Sequence, residues 1–150
     1  MTYQLIFHDH IKRFENTLLE KAEQEKRTKG MGPWLALADL YIIQKKRIRL
    51  YPTPEEFNDH TSGEEMLPIV KHVERNTKIT NLFRRGLPNR SIGNFRLLYT
   101  LHNYHKVIFL HYFDTQYNGD IKRKDIKPAE TRYFNYCIDD PTLYPIRKGE

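Results

Sequence analysis

Two β-rich runs separated by four residues of turn character limit what this chain can fold into more than any other feature. Phe95 to Leu101 (FRLLYTL) and Lys106 to Phe113 (KVIFLHYF) flank His102-Asn103-Tyr104-His105, the pattern of an antiparallel hairpin. Period-two alternation puts Arg96, Leu98 and Thr100 on one face, with Phe95, Leu97, Tyr99 and Leu101 on the other. The face with Arg96 is the less apolar of the two. Lys78 to Phe83 reads as a further strand, followed by a loop over Gly86 to Gly93 that is rich in Gly, Pro, Asn and Ser.

The rest of the chain reads mainly as helix. Thr2 to Phe7 is a short first strand, and Asp9 is the expected N-cap of a helix whose apolar face is Ile11, Phe14, Leu18, Leu19 and Ala22. Cations and Gly30 close that helix. Gly32-Pro33 opens a second helix, with Trp34, Leu37, Ala38, Tyr41 and Ile42 as its buried stripe and Ile48 and Leu50 as an extension. Thr53-Pro54-Glu55-Glu56 and Ser62-Gly63-Glu64-Glu65 have the capping-box pattern. The second precedes Met66, Ile69, Val70 and Val73, so a third, extra middle helix is expected to end near Asn76. Ile126, Ala129, Tyr133 and Cys137 mark a closing helix, and the tail from Pro141 is expected to be irregular. The fold expected is α+β. A small antiparallel sheet packs against an N-terminal helical hairpin, with the middle helix and a C-terminal helix added, as one domain over residues 1–150.

Charge is distributed unevenly. The chain carries a net charge of +6, yet residues 71–132 hold 13 basic and 5 acidic side chains. From Arg75 to Phe113 there is no acid at all. Such asymmetry fits an anionic partner such as nucleic acid, and it also fits a solvated basic face. No apolar run approaches the roughly 20 residues that span a bilayer. MTYQLIFHDHIKRF lacks the layout of a signal peptide, and the single cysteine, Cys137, precludes an internal disulfide. A cytoplasmic protein with no membrane partner is expected. The chain has no P-loop, GxSxG, HExxH or dinucleotide fingerprint, which removes the commonest enzyme classes.

FRLLYTLHNYHKVIFLHYF, followed by DIKPAETRYFNY, resembles the RelE/ParE superfamily of bacterial toxins, and more narrowly its HigB or phage-derived branch. The shared pattern is an arginine-bearing strand, a tight turn, an apolar strand ending in an aromatic, a polar loop and a helix built on Ala-x-x-Arg, here Ala129-Glu130-Thr131-Arg132. The resemblance implies a toxin of a toxin–antitoxin pair that cuts mRNA on the ribosome without metal or other cofactor. Its partners would be a cognate antitoxin, mRNA and the ribosome. It also implies the chemistry. A base activates the ribose 2′-hydroxyl, cations stabilise the charge gathering at phosphorus, and an acid protonates the leaving oxygen. Arg96 matches the strand arginine of the family, and Arg84, Arg85 and Arg90 fall in the region where relatives place further phosphate-contacting cations. After Phe113 many relatives carry lysines or an arginine, whereas this chain reads Asp114-Thr115-Gln116-Tyr117, with Lys122-Arg123-Lys124 further on. A non-catalytic module on the same fold, either a gyrase inhibitor of ParE type or an inactive relative, is the alternative.

The candidate catalytic residues are therefore Arg96, Arg85 and His111. The candidate RNA-binding residues are Arg84, Arg90, Lys106, Tyr117, Lys122, Arg123 and Lys124. Each also has a plainer reading. Arg96 could pair with a helix acid, and His111 could be a structural histidine near the end of an apolar strand, although its ordinary pKa suits proton transfer at neutral pH. Tyr104 and Tyr117, in turn and loop, are the aromatics free to stack on bases. His8-x-His10 and His102-x-x-His105 lack the thiols or clustered carboxylates of a zinc site, and no metal is expected.

Overall fold

The Phe95–Phe113 hairpin forms the middle of the sheet. The computed structural model describes residues 2–54, 70–115, 117 and 120–144. Strand β1 (Gln4–Phe7) leads into helix α1 (Asp9–Lys29) and helix α2 (Pro33–Leu50). Strands β2 (Val70–His72), β3 (Leu82–Asn89), β4 (Gly93–His102) and β5 (Lys106–Asp114) follow, and helix α3 (Arg123–Asp139) comes last. The sheet order is β1-β5-β4-β3-β2. Strands β2 to β5 are antiparallel neighbours, and β1 adds to β5 in parallel, with Leu5 opposite Val107 and Phe7 opposite Phe109. The fold is thus α+β, with the helical hairpin on one side of the sheet and α3 on the other. No helix among the described residues is long and apolar enough to cross a membrane.

Local chemistry explains most of the boundaries. His8, not Asp9, caps α1: its Nδ1 accepts the backbone N–H of His10 at 3.0 Å, and Asp9 is the first helical residue. Gly30 takes φ 76°, the left-handed conformation that ends a helix with little strain at glycine. Asn103 and Tyr104 both have positive φ, 48° and 74°, which turns the β4–β5 hairpin. The Asn103 side chain also holds the following tail. Its Nδ2 donates to the Pro141 carbonyl at 2.9 Å, and its Oδ1 accepts the Leu143 N–H at 2.7 Å. Residues 141–144 form no helix or strand and are tied across the hairpin turn, while the rest of the tail lies outside the described residues.

Further expectations fail in the sheet, where the strand expected over Lys78 to Phe83 begins only at Leu82. Gly86 to Asn89 is strand, not loop: Gly86 pairs with Arg96, Leu87 with Phe95 and Pro88 with Asn94. Among the described residues β2 covers β3 only opposite Phe83 to Arg85, so the outer edge of β3 has no partner where proline cannot donate. Leu87, fully buried, supplies the apolar anchor in an otherwise polar run. The reversal falls instead at Asn89, whose Oδ1 accepts the N–H groups of Ser91 and Ile92. The expected middle helix does not reach Asn76, since Val70–His72 is a strand pairing with Phe83–Arg85. Its proposed start at Ser62 lies outside the described residues.

The core forms two layers. Ile11, Phe14 and Leu18 of α1, with Leu37, Tyr41 and Ile48 of α2, pack on Leu87, Leu97, Tyr99, Val107 and Phe109. In α2, by contrast, Ile42 and Leu50 lie at the surface. On the other face Ile126, Ala129 and Tyr133 of α3 pack on Leu98, Ile108 and Leu110. The Arg96 face is therefore not a solvated face: α3 covers Leu98, Ile108 and Leu110 and leaves the Arg96 end of β4 half-buried.

Glu130, nearly fully buried, anchors α3 to the segment before β3. It accepts the Thr77 hydroxyl at 2.9 Å and the Lys78 N–H at 2.6 Å, and it pairs with Arg123 at 2.5 Å. Removing that carboxylate leaves buried donors without an acceptor. Glu130→Ala is expected to lower unfolding free energy by about 3 kcal/mol. Urea denaturation checks this, with Glu130→Gln losing less because its amide oxygen still accepts.

Candidate functional site

The site is set by the register of three strands. Arg84 lies opposite Leu98 and Arg96 opposite Gly86, so the two arginines are diagonal neighbours on the same face as α3. Glycine opposite Arg96 leaves that position without a side chain. The guanidinium charges act on each other: Arg84 has its pKa lowered first by burial and then by the charge of Arg96, against weaker support from Asp120 and Tyr117. Arg84 Nη1 and Arg96 Nε are buried and have no hydrogen-bond partner among the described residues. Buried donors of this kind normally find acceptors. Here two of them sit on adjacent like charges.

Strand β5 contributes through a bulge. Leu98 pairs with His111, but Tyr99 pairs with Phe109, which leaves Leu110 as the extra residue. Leu110 packs against α3, and so does Phe113 beyond the bulge. The register shift puts His111 on that face as well. Arg132, one turn along α3 from Ala129, secures the irregularity. Its Nη1 donates to the Leu110 carbonyl at 2.9 Å and lies 2.6 Å from His111 Nδ1. A guanidinium can only donate, so Nδ1 is the acceptor and neutral His111 carries its proton on Nε2. Burial, then Arg132, then His10 push the His111 pKa down to about 4. The ring stacks on Phe113 with centroids 5.6 Å apart and lies 4.8 Å from the ring of His10.

The loop before α3 supplies the remaining groups. Tyr117 donates its hydroxyl proton to Asp125 Oδ2 at 2.5 Å, and its oxygen accepts the Lys122 N–H at 3.0 Å. Lys122 Nζ sits 4.6 Å from the centre of the Tyr117 ring. Burial and then Asp125 raise the Tyr117 pKa, while the positive charge of Arg96 opposes them. Tyr117 and Asp125 thus form a hydrogen-bonded pair beside the arginines. This arrangement can take a proton onto a phenol oxygen while the carboxylate receives the phenolic one.

Arg84, Arg96, His111, Tyr117 and Lys122 are the expected residues that come together. Others lie elsewhere. Arg85 is fully buried on the opposite face, where its Nη1 donates to Gln44 Oε1 at 2.7 Å. Lys106, at the far end of β5, is held by Asp140 at 2.7 Å. That carboxylate also lies 3.2 Å from buried His102, and the Lys106 contact leads in lowering its pKa to about 2. Arg90 is exposed in the β3–β4 turn, Arg123 turns to Glu130 and the Asn76 carbonyl, and Lys124 is exposed on α3. Asp125, Arg132 and His10 are the functional candidates not anticipated as site residues, although Ala129-x-x-Arg132 pointed to one of them. Among the described residues no group of three or more His, Cys, Asp or Glu is placed to hold a metal ion. No protein-family model, curated protein or solved structure matches the chain.

The depressed His111 pKa makes stability depend on pH. Above pH 6.5 the imidazole is neutral folded or unfolded and contributes nothing to the slope. Between pH 6.5 and about 4 the unfolded chain binds a proton that the folded one refuses, so stability falls with pH across that window. His111→Gln, which keeps an acceptor for Arg132, is expected to flatten the decline. Urea midpoints taken at intervals from pH 7 to pH 4 for both proteins measure it.

Proposed function

We propose that this protein is an RNA-cleaving toxin of the RelE kind, which cuts mRNA on the ribosome in the cytoplasm and is held in check by a cognate antitoxin. The observation that carries the reading is the Arg84–Arg96 pair, two neighbouring guanidiniums with uncommitted buried donors beside the Tyr117–Asp125 pair. A phosphodiester in this place supplies the acceptors that the two arginines lack among the described residues. As the ribose 2′-oxygen attacks phosphorus, negative charge builds on the non-bridging oxygens, where fixed cationic donors stabilise it most. The 2′-hydroxyl proton passes to the Tyr117 oxygen while the Tyr117 proton moves to Asp125. The bond from phosphorus to the 5′-oxygen breaks, and that oxygen takes a proton from water as it leaves, while Asp125 gives its proton back to solvent. Neutral His111 offers its Nε2–H as a hydrogen-bond donor. The products are a 2′,3′-cyclic phosphate and a 5′-hydroxyl.

The family resemblance in the hairpin and in Ala129-x-x-Arg132 supports the ribosome and the antitoxin as partners. It also supports the metal-independent route, in which the arginines supply the positive charge. In the gyrase-inhibitor alternative the same surface would bind protein without chemistry.

Induced expression with mapping of mRNA ends tests the reading. Growth arrest accompanied by new 5′-hydroxyl ends within codons is expected. Arg96→Ala is expected to lower the cleavage rate about 10²–10³-fold, the scale seen when a single transition-state donor is lost, and Tyr117→Phe to lower it as well. Arrest with intact mRNA and accumulating DNA breaks would overturn the ribonuclease and favour the gyrase inhibitor.

A further inference from the structure

A cavity of about 320 Å³ opens between β1 and α3 on the sheet face that carries the arginine pair. That volume is at the lower end of small-molecule sites, roughly 300–1,000 Å³. Its floor is apolar, formed by Ile6 of β1 with Ile108 and Leu110 of β5. Its rim is polar, with His8 and Asp9 at the start of α1 and Arg132 and Asn135 on α3. Tyr136 also lines it, with its hydroxyl committed to Asp140 at 2.8 Å. The Asn135 side chain is exposed and makes no hydrogen bond to a described residue.

Arg132 is the cation of this cavity, and the acid on its rim, Asp9, is largely exposed and lies 4.0 Å from Lys12. Arg132 is half-buried and has no ion-pair partner among the described residues, and Arg13 of α1 adds a second positive charge close by. Its Nη1 is used by the Leu110 carbonyl and His111, while Nε and Nη2 have no partner among the described residues. A half-buried cation with uncommitted donors over an apolar floor suits a ligand with an anionic end and a flat, weakly polar body. An amide on the rim can both donate to and accept from the edge of such a body. A nucleotide has these properties in one molecule.

We propose that this cavity is a nucleotide subsite, taking the base of a ribonucleotide that flanks the cut, with its phosphate on Arg132. The identity of the strand rests on the RNA-cleaving reading. Contiguity rests on geometry, because the guanidinium that edges the cavity also touches His111. In this arrangement Arg132 serves twice, as a phosphate ligand and as a positioning residue for His111. Asn135 reads the base edge.

The test is a titration of the protein, labelled at its isoleucine and leucine methyl groups, with the four ribonucleoside 5′-monophosphates and with inorganic phosphate. The nucleotides are expected to shift the Ile6, Ile108 and Leu110 resonances, one base more strongly than the others, and phosphate alone to leave them in place. Asn135→Ala is expected to weaken the preferred nucleotide about 3–10-fold, the scale of one hydrogen bond. In cells it should relax base preference at one position beside the cut. Methyl resonances that stay still, or that respond equally to phosphate, overturn the subsite even if mRNA is cut. Methyl shifts in a protein that cuts no RNA keep the nucleotide site and overturn the proposed activity instead.

Discussion

One extra residue in β5 determines which side chains share the site. On a regular strand His111 and Phe113 would follow Val107 and Phe109 into the layer beneath α1 and α2. Leu110 breaks the alternation, so Tyr112 packs against Phe14 while His111 faces α3. The bulge leaves a carbonyl without its place in the ladder, and Arg132 donates to it. A bend in one strand, the seating of α3 and a histidine tautomer are thereby coupled through one guanidinium.

The electrostatic arrangement follows from that coupling. Arg84 acts on Arg96, with Asp120 nearby, and Arg132 on Arg13, with Asp125 acting on the His111 that Arg132 contacts. Asp120 is shared with Arg75 at 3.2 Å, and Asp125 is held by Tyr117. Neither neutralises the arginine pair outright. Placing like charges together with unfilled donors costs folding free energy, and a fold that only needed solubility could spread its cations. Lys106 and Asp140 show the contrast, because there a cation and a carboxylate meet at 2.7 Å and the charge serves structure.

Much of this was legible in the sequence, and the remainder has identifiable physical causes. The hairpin, the two N-terminal helices and the closing helix follow from periodicity and caps. Arg84 and Arg85 could not be told apart, because they are adjacent in sequence and only the strand register sends one to the α3 face and the other to Gln44. Gly86 and Pro88 disguised half of β3 as loop, since their effect depends on an edge with no neighbouring strand among the described residues. Alternation could not place His111, because a bulge is a tertiary feature with no reliable local signature. The arginine of Ala-x-x-Arg was visible, yet its target, a carbonyl freed by the bulge, was not.

The polar loop after Phe113 carries no cation before Lys122, and the chemistry does not require one there. Strands are stiff, and they already hold two guanidiniums on β3 and β4 at a spacing fixed by the ladder. On the strands His111 Nδ1 is taken by Arg132 and Asp114 accepts the Asn94 N–H, and the stretch from Arg75 to Phe113 has no acid. The loop and the first turn of α3 provide a proton acceptor, with Tyr117 carried on the loop and Asp125 near the helix N-terminus. A lysine in place of either would add a third like charge beside Arg96 and remove the acceptor. In the proposed reaction, charge stabilisation would reside on the sheet and proton transfer on the segment that follows it, with no cation needed directly after Phe113.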